Sequence, residues 1–250
     1  MRWTERQRAM LAEMGVRLFE SAPPTAEQID PPAMAAAATD LDAAPRGPQP
    51  AVALARGEVS TLDWPALRAA VAGCRACALC ESRTQTVFGV GHEHAHLMIV
   101  GEAPGEQEDL QGEPFVGQAG KLLDNMLRAI GLTRAEAPAE RQVFIANTLK
   151  CRPPRNRNPD PAETAKCAPF LERQIELVRP RLVLAMGRFA AQSLLASDEP
   201  IGKLRGRVHR WRDTPVVVTY HPAYLLRTLA DKARAWDDLC LAASILEGAS

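Results

Sequence analysis

Several features are missing from this 250-residue sequence, and each absence narrows what the chain can be. It has no net charge: 30 Lys and Arg balance 30 Asp and Glu. No global field therefore draws it to a polyanion, and any nucleic-acid contact must come from local basic patches. It has no apolar run long enough to span a bilayer. Its first residues, Met1-Arg2-Trp3-Thr4-Glu5-Arg6-Gln7-Arg8, are charged and lack the apolar centre of a secretory signal. The chain is expected from these absences to be soluble and cytoplasmic, and it is read as a monomer. No internal repeat is visible, which argues against a solenoid.

What is present fits one globular domain with an appendage. Hydrophobic content is 46%, enough for a core. Trp3 to Phe19 has the spacing of an amphipathic helix, with Met10, Leu11, Met14 and Leu18 on one face. We assign residues 1–20 to this helix, which is free to dock on the domain or on a protein partner. Residues 21–58 are rich in Ala and Pro and poor in large apolar side chains, so they read as a flexible linker. Residues 59–250 form the domain. Thr61 to Val71 reads as a helix capped by Ser60 or Thr61 and ended by Gly73.

Short apolar runs then alternate with helical spacing. Leu97–Val100, Gln142–Asn147, Leu182–Met186 and Pro215–Tyr220 read as buried strands. Between them, Lys121–Ile130, Pro161–Val178 and Phe189–Leu195 read as helices, and Asp231–Leu246 as a final one. This alternation predicts an α/β fold, a three-layer αβα sandwich on a mostly parallel sheet of about four strands. Lys203 to Arg212 reads as a basic hairpin-like segment.

Six cysteines occur, and in a cytosolic chain they are not expected to form disulfides. Cys74-x2-Cys77 and Cys151-x15-Cys167 supply four thiolates in two pairs. Such a set suits zinc or an iron–sulfur cluster, and spacing alone does not separate them. Cys80 extends the first pair toward a ferredoxin-type run but is read as a spare. Cys240 is read as core.

The stretch His96 to Gly117 organises the rest. A strand ends at Gly101, and Pro104-Gly105 turns the chain through a loop holding Glu102, Glu106, Glu108 and Asp109. A solvated acidic turn accounts for Glu106 and Asp109. It accounts poorly for Glu102, which abuts a buried strand and needs a partner or a task. In open α/β sheets such strand ends form sites. The other strands deliver Asn147 and His221 to the same edge. Taken singly, a Phe is usually core, an Asn a turn residue and a His before Pro structural.

Gly101-Glu102-Ala103-Pro104-Gly105, then Gly112-Glu113-Pro114-Phe115-Val116-Gly117, and His221-Pro222-Ala223-Tyr224-Leu225-Leu226-Arg227 together resemble family 4 uracil-DNA glycosylases, the iron–sulfur members of their superfamily. The resemblance runs from about Cys74 to the C-terminus. It implies the αβα sandwich, a 4Fe-4S cluster on Cys74, Cys77, Cys151 and Cys167, and release of uracil from DNA as an abasic site. It also implies a uracil-binding set of Gly101, Glu102, Ala103, Glu108, Phe115, Asn147 and His221. Phe115 would stack on the flipped base, and Asn147 would read its polar edge. His221 would donate to the base O2, and Glu102 would orient water or stabilise the cationic sugar. Ala103 and Gly105 stand where the best-known superfamily members carry an aspartate and a thymine-excluding tyrosine. Glu108 is the candidate for blocking the thymine methyl.

Two basic segments, Lys150 to Arg157 and Lys203 to Arg212, flank these elements. Arg152, Arg155, Arg157, Lys203, Arg205, Arg207 and Arg227 are the expected phosphate contacts, the first three held rigid by the cluster. Leu225 is the candidate wedge into the base stack, against the alternative that it belongs to the core. Three other readings stand beside the glycosylase. One is a non-catalytic iron–sulfur nucleic-acid-binding accessory protein. A covalent uracil-DNA binder is weakened by the absence of His from Cys151 to Pro159. A carboxylate-metal hydrolase would stop in chelator.

Overall fold

The apolar runs become strands in a computed structural model, which describes residues 56–248. The helix read over Trp3 to Phe19, and the linker up to residue 55, lie outside the described residues. In chain order the elements are α1 (Arg56–Val59), α2 (Trp64–Ala72), α3 (Leu79–Ser82), β1 (Val90–Gly91), β2 (Leu97–Gly101), α4 (Glu106–Gln111), α5 (Gln118–Ala129) and β3 (Phe144–Asn147). There follow α6 (Pro161–Val178), β4 (Leu182–Met186), α7 (Arg188–Leu195), α8 (Ile201–Leu204), β5 (Val208–Trp211), β6 (Thr214–Thr219), α9 (Pro222–Leu225) and α10 (Lys232–Gly248). Positions 56–58, read as linker, lie in α1, whose Val59 is buried.

One six-stranded sheet has the order β1-β3-β2-β4-β6-β5. The four expected strands are its centre and pair in parallel. The expectation of about four strands is corrected by two antiparallel edges, β1 on β3 and β5 on β6. Both edges were hard to read. β1 is two residues long, and β5, Val-His-Arg-Trp, alternates exposed with half-buried positions. Such a half-solvated edge strand lacks the continuous apolar run of the buried ones.

The period of two along each strand divides the core in two. Leu97, Ile99, Ile145, Leu182, Leu184 and Val217 pack with Leu123 and Leu127 of α5 and Leu239 of α10. Met98, Val100, Phe144, Val183, Ala185 and Val218 face Leu171, Ile175, Ala190 and Leu194 of α6 and α7. A sheet buried on both faces by helices is the three-layer arrangement. The cap of α2 is Asp63, not Ser60 or Thr61: its carboxylate accepts the Ala66 N–H at 3.0 Å. Pro65 in the first turn fits because the missing N–H there costs nothing. Among the described residues, no helix is long and apolar enough to cross a membrane.

Candidate active site

The carboxyl ends of β2, β3, β4 and β6 open onto one cleft of about 760 Å³, lined by Glu102, Glu108, Phe115, Asn147, Arg188, His221 and Arg227 among others. Register explains the convergence. Gly101 pairs with Asn147 at the last step of β2 and β3. The chain after β3 then clamps Glu102: Leu149 N–H donates to its carbonyl at 3.1 Å, and the Thr148 hydroxyl donates to the same oxygen.

Gly101 is required for the wall to form. A Cβ there would lie 2.4 Å from Asn147 Oδ1 and 2.6 Å from Phe115 Cζ, closer than real side chains approach. The Phe115 ring and the Asn147 amide therefore occupy the space that a side chain at 101 would fill. Phe115 is buried, takes a left-handed backbone (φ 55°) and lies 5.3 Å from the His221 ring at 26°. A strained backbone on a pocket residue persists only where its surroundings hold it. Asn147 is 2% exposed, and its Oδ1 has no hydrogen-bond partner. A buried acceptor with no donor costs free energy unless a ligand supplies one.

His221 caps α9, and its Nδ1 accepts the Ala223 N–H at 3.1 Å. That bond assigns the proton of a neutral imidazole to Nε2. Burial lowers its pKa to about 4; Glu108 opposes the shift and Arg227 adds to it. The ring is therefore a neutral donor at physiological pH. Burial raises the Glu102 pKa, and the charge of Arg188 partly offsets this.

Glu108 is pinned by backbone N–H groups. One oxygen accepts from Gly105 at 3.1 Å, the other from Val116 at 3.0 Å and Gly117 at 3.2 Å. It joins the acidic loop to the loop of Phe115. Glu106 is exposed and pairs with Arg152 at 3.5 Å. Asp109 is not a solvated turn residue: it is 3% exposed, and both oxygens accept the Thr84 N–H at 3.0 Å.

A second, smaller cavity is lined in part by the loop after β3. Cys74, Cys77, Cys151 and Cys167 all line it, with Cys80, Arg83, Lys150 and Lys166. Burial raises the pKa of Cys77 and Cys151 and pushes Cys167 to about 12. Donors nevertheless point at the sulfurs. Arg83 Nη1 lies 2.9 Å from Cys151 Sγ, and the Lys150 N–H lies 3.3 Å from Cys167 Sγ. Four thiols lining one cavity, Cys151 buried and the others half-buried, beside the Arg83 guanidinium fit a group that needs thiolates and brings positive iron. Among the described residues, no His, Cys, Asp and Glu side chains converge tightly enough for a single ion. Cys240, expected in the core, is exposed on α10.

Several expected DNA contacts are placed elsewhere. Leu225 is 1% exposed and packs in the core, because the short α9 turns it inward; its neighbour Leu226 is 43% exposed. Arg205 is held by buried Asp238 at 3.0 Å and by the Arg234 carbonyl, so it is a structural residue. Lys150, read as part of a basic surface, is 2% exposed. Arg157 makes a two-pronged pair with Glu163 at 2.6 and 2.9 Å, and Arg207 pairs with Glu199 at 3.3 Å. Arg155, Lys203 and Arg227 are exposed, and Arg227 lines the cleft. Arg188 was missed. It follows Gly187 at the end of β4, the same strand-end signal that marked Glu102, Asn147 and His221.

Comparison with known proteins agrees with this geometry. The family model for the uracil DNA glycosylase superfamily matches residues 88–240, from before β1 into α10. The chain is 46% identical over 164 residues to a Type-4 uracil-DNA glycosylase of Archaeoglobus fulgidus, covering 62% of this chain and 79% of that protein. It is 42% identical over 163 residues to one of Thermotoga maritima, covering 64% and 82%. A further Type-4 enzyme, of Sulfurisphaera tokodaii, is 42% identical over 165 residues, covering 62% and 72%. By the family match over residues 88–240 and by these relatives, the chain belongs to the uracil DNA glycosylase superfamily.

Proposed function

We propose that this chain excises uracil from DNA, hydrolysing the N-glycosidic bond to give free uracil and an abasic site. The observation that carries the reading is the buried, partnerless Oδ1 of Asn147 at the wall it shares with Phe115 and His221. Uracil offers N3–H beside O4, so an amide can accept from one and donate to the other. Cytosine presents the reverse pattern and leaves buried polar groups unpaired, a difference worth on the order of 10⁴-fold. The base must leave the stack to reach this wall, and Phe115 offers it a flat face.

Cleavage of the C1′–N1 bond leaves its electron pair on the base and positive charge on the sugar. Charge that develops at O2 meets the Nε2–H of His221, a fixed neutral donor. Glu102 lies on the opposite side of the requirement. Its carboxylate stabilises the cationic sugar and orients the water whose oxygen adds to C1′. Burial lifts its proton affinity, which suits a group that receives the water's proton. Glu108, immobilised by three N–H groups, forms a rigid wall suited to excluding the thymine methyl.

Cys74, Cys77, Cys151 and Cys167 would hold a 4Fe-4S cluster. Bound there, it would supply a covalent tie between α2's exit, the loop after β3 and α6, together with local negative charge. Arg152, Arg155, Lys203 and Arg227 would grip phosphates without reading sequence. Exposed Leu226, rather than Leu225, is an apolar side chain available beside His221 to enter the stack.

The test uses labelled oligonucleotides with one uracil, incubated with purified protein in chelator and then treated with alkali. Strand breaks at uracil, and none at thymine or cytosine, are expected. Intact strands with retained uracil-DNA would replace this reading with binding alone.

A further inference from the structure

Lys150 lies in the four-residue step between Asn147 in the cleft and Cys151 in the cysteine cavity, and its side chain does not face solvent. At 2% exposure its ammonium donates to the Asn147 carbonyl at 2.8 Å and to Gln174 Oε1 at 2.6 Å. Gln174 is fully buried, and its Nε2 donates to the Phe88 carbonyl at 2.8 Å. That second bond fixes which end of the amide faces Lys150. The backbone of Lys150 is held as well: its N–H reaches Cys167 Sγ at 3.3 Å, and its carbonyl accepts the Val87 N–H at 2.8 Å. A buried Lys is costly, and a Leu or Met would fill the same volume without desolvating a charge. Something other than packing calls for an ammonium here.

We propose that Lys150 is a positioning residue for base recognition. Held by Gln174, it locks the end of β3 so that the Asn147 amide meets the base in one orientation. The inference rests on the uracil reading given above. Asn147 needs such a lock because its Oδ1 finds no partner in the protein to orient it. Its position is set from the backbone side, at the carbonyl that Lys150 takes, and from the ring and glycine that wall the cleft. Lys150 touches no substrate; it acts through Asn147.

Three measurements separate this role from a merely structural one. Inhibition by free uracil reads the base wall. Affinity for abasic-site DNA reads the outer surface. Visible absorbance with iron content reads the cysteine cavity. Lys150→Met is expected to raise the Ki for uracil at least tenfold, while abasic-DNA affinity stays within twofold and iron is retained. Gln174→Leu should act in the same direction but less. Gln174→Glu keeps an acceptor for the ammonium but gives up the Nε2–H that the Phe88 carbonyl accepts, so its Ki should fall between that of Gln174→Leu and wild type.

An unchanged Ki in Lys150→Met overturns the proposal. So does a parallel loss of uracil and abasic-DNA affinity, which would mean general loosening. Loss of iron together with the Ki change also overturns it, since Lys150 would then serve the thiolates alone. If Lys150→Met does not fold, a wild-type Ki in Gln174→Leu overturns it equally. A wild-type protein that neither releases nor binds uracil removes the functional reading and this inference together, whereas the variant results remove the inference alone.

Discussion

The two cavities on either side of the Asn147–Cys151 segment are built on different plans. The cleft is made by strand ends. Its walls are fixed by sheet register, by the clamp on the Glu102 carbonyl and by Glu108's three backbone bonds. The cysteine cavity is made by loops and helix starts. Its thiols come from the exit of α2, the loop after β3 and α6, and burial there works against ionising them. The cleft therefore has its geometry from the fold, while the parts of the cysteine cavity would be tied together by the proposed cluster. On that proposal one is pre-organised and the other would be completed by what it binds.

The sharpest way to break that contrast is at a thiol. Cys167→Ser is expected to abolish visible absorbance and bound iron outright, and to lower the thermal midpoint, because one of four ligands is gone and the loop tie with it. Cys80→Ser should keep both. If Cys80→Ser lost the iron and Cys167→Ser did not, the ligand set on this cavity would be wrong.

The next largest effect belongs to the cleft. Glu102→Gln and His221→Ala are each expected to slow uracil release by about 10²–10³-fold, the usual cost of losing one group that matches developing charge. DNA affinity should hold, since neither lies among the exposed cations. Single-turnover rates beside gel-shift affinities check this. Wild-type rates in both variants would show that the cleft is not the reacting centre.

The contrast also explains which parts were legible in the sequence. The four central strands, and Glu102, Asn147 and His221 at their ends, follow from apolar runs with defined stops. So does α6, which spans Pro161–Val178 as the apolar spacing suggests. What the pattern could not carry is side-chain direction in short or polar segments. Arg205 lies in a basic run and looks solvated, yet the buried carboxylate of Asp238 draws it in from 33 residues away. Asp109 looks like a turn residue, yet the Thr84 N–H lies beneath it. Leu225 sits on a helix of four residues, too short for its periodicity to show an inward face. Each of these depends on a partner far along the chain, which no local window contains. Arg188 is different. Its strand-end place was readable, and it was overlooked because a lone Arg after Gly187 resembles an ordinary helix start.

A smaller but telling effect is expected at Gly101. Gly101→Ala adds one methyl where Asn147 Oδ1 and the Phe115 ring already stand. Both belong to the base wall, so neither can retreat without moving the reading edge or the stacking face. Overpacking of this kind costs about 1–3 kcal/mol. We expect kcat/KM on uracil-DNA to fall roughly tenfold to a hundredfold at that cost, with iron content unchanged. A Gly101→Ala protein that lost its iron would show that the two cavities are not built independently.

The smallest expected change is a null one, and it tests the cleft's electrostatics directly. Burial holds His221 neutral down to about pH 4, whereas in the unfolded chain it titrates near its ordinary value. Between those two values the unfolded state binds the extra proton and the folded state does not. His221 therefore makes stability rise with pH across that window, and its destabilising effect is complete below the folded pKa. Above the window it contributes no pH dependence. For catalysis the same shift removes the inflection near pH 6.5 that a solvent-exposed imidazole would give. The rate of uracil release should be level from about pH 5.5 to pH 8 as far as His221 is concerned. An NMR titration of the five histidines should show one imidazole, assigned by the His221→Ala spectrum, that keeps its neutral shift through that range. If that resonance moved near pH 6.5, the imidazole would be hydrated in solution. His221 would then donate as an imidazolium, and the cleft would not be the pre-organised wall that sets it apart from the cysteine cavity.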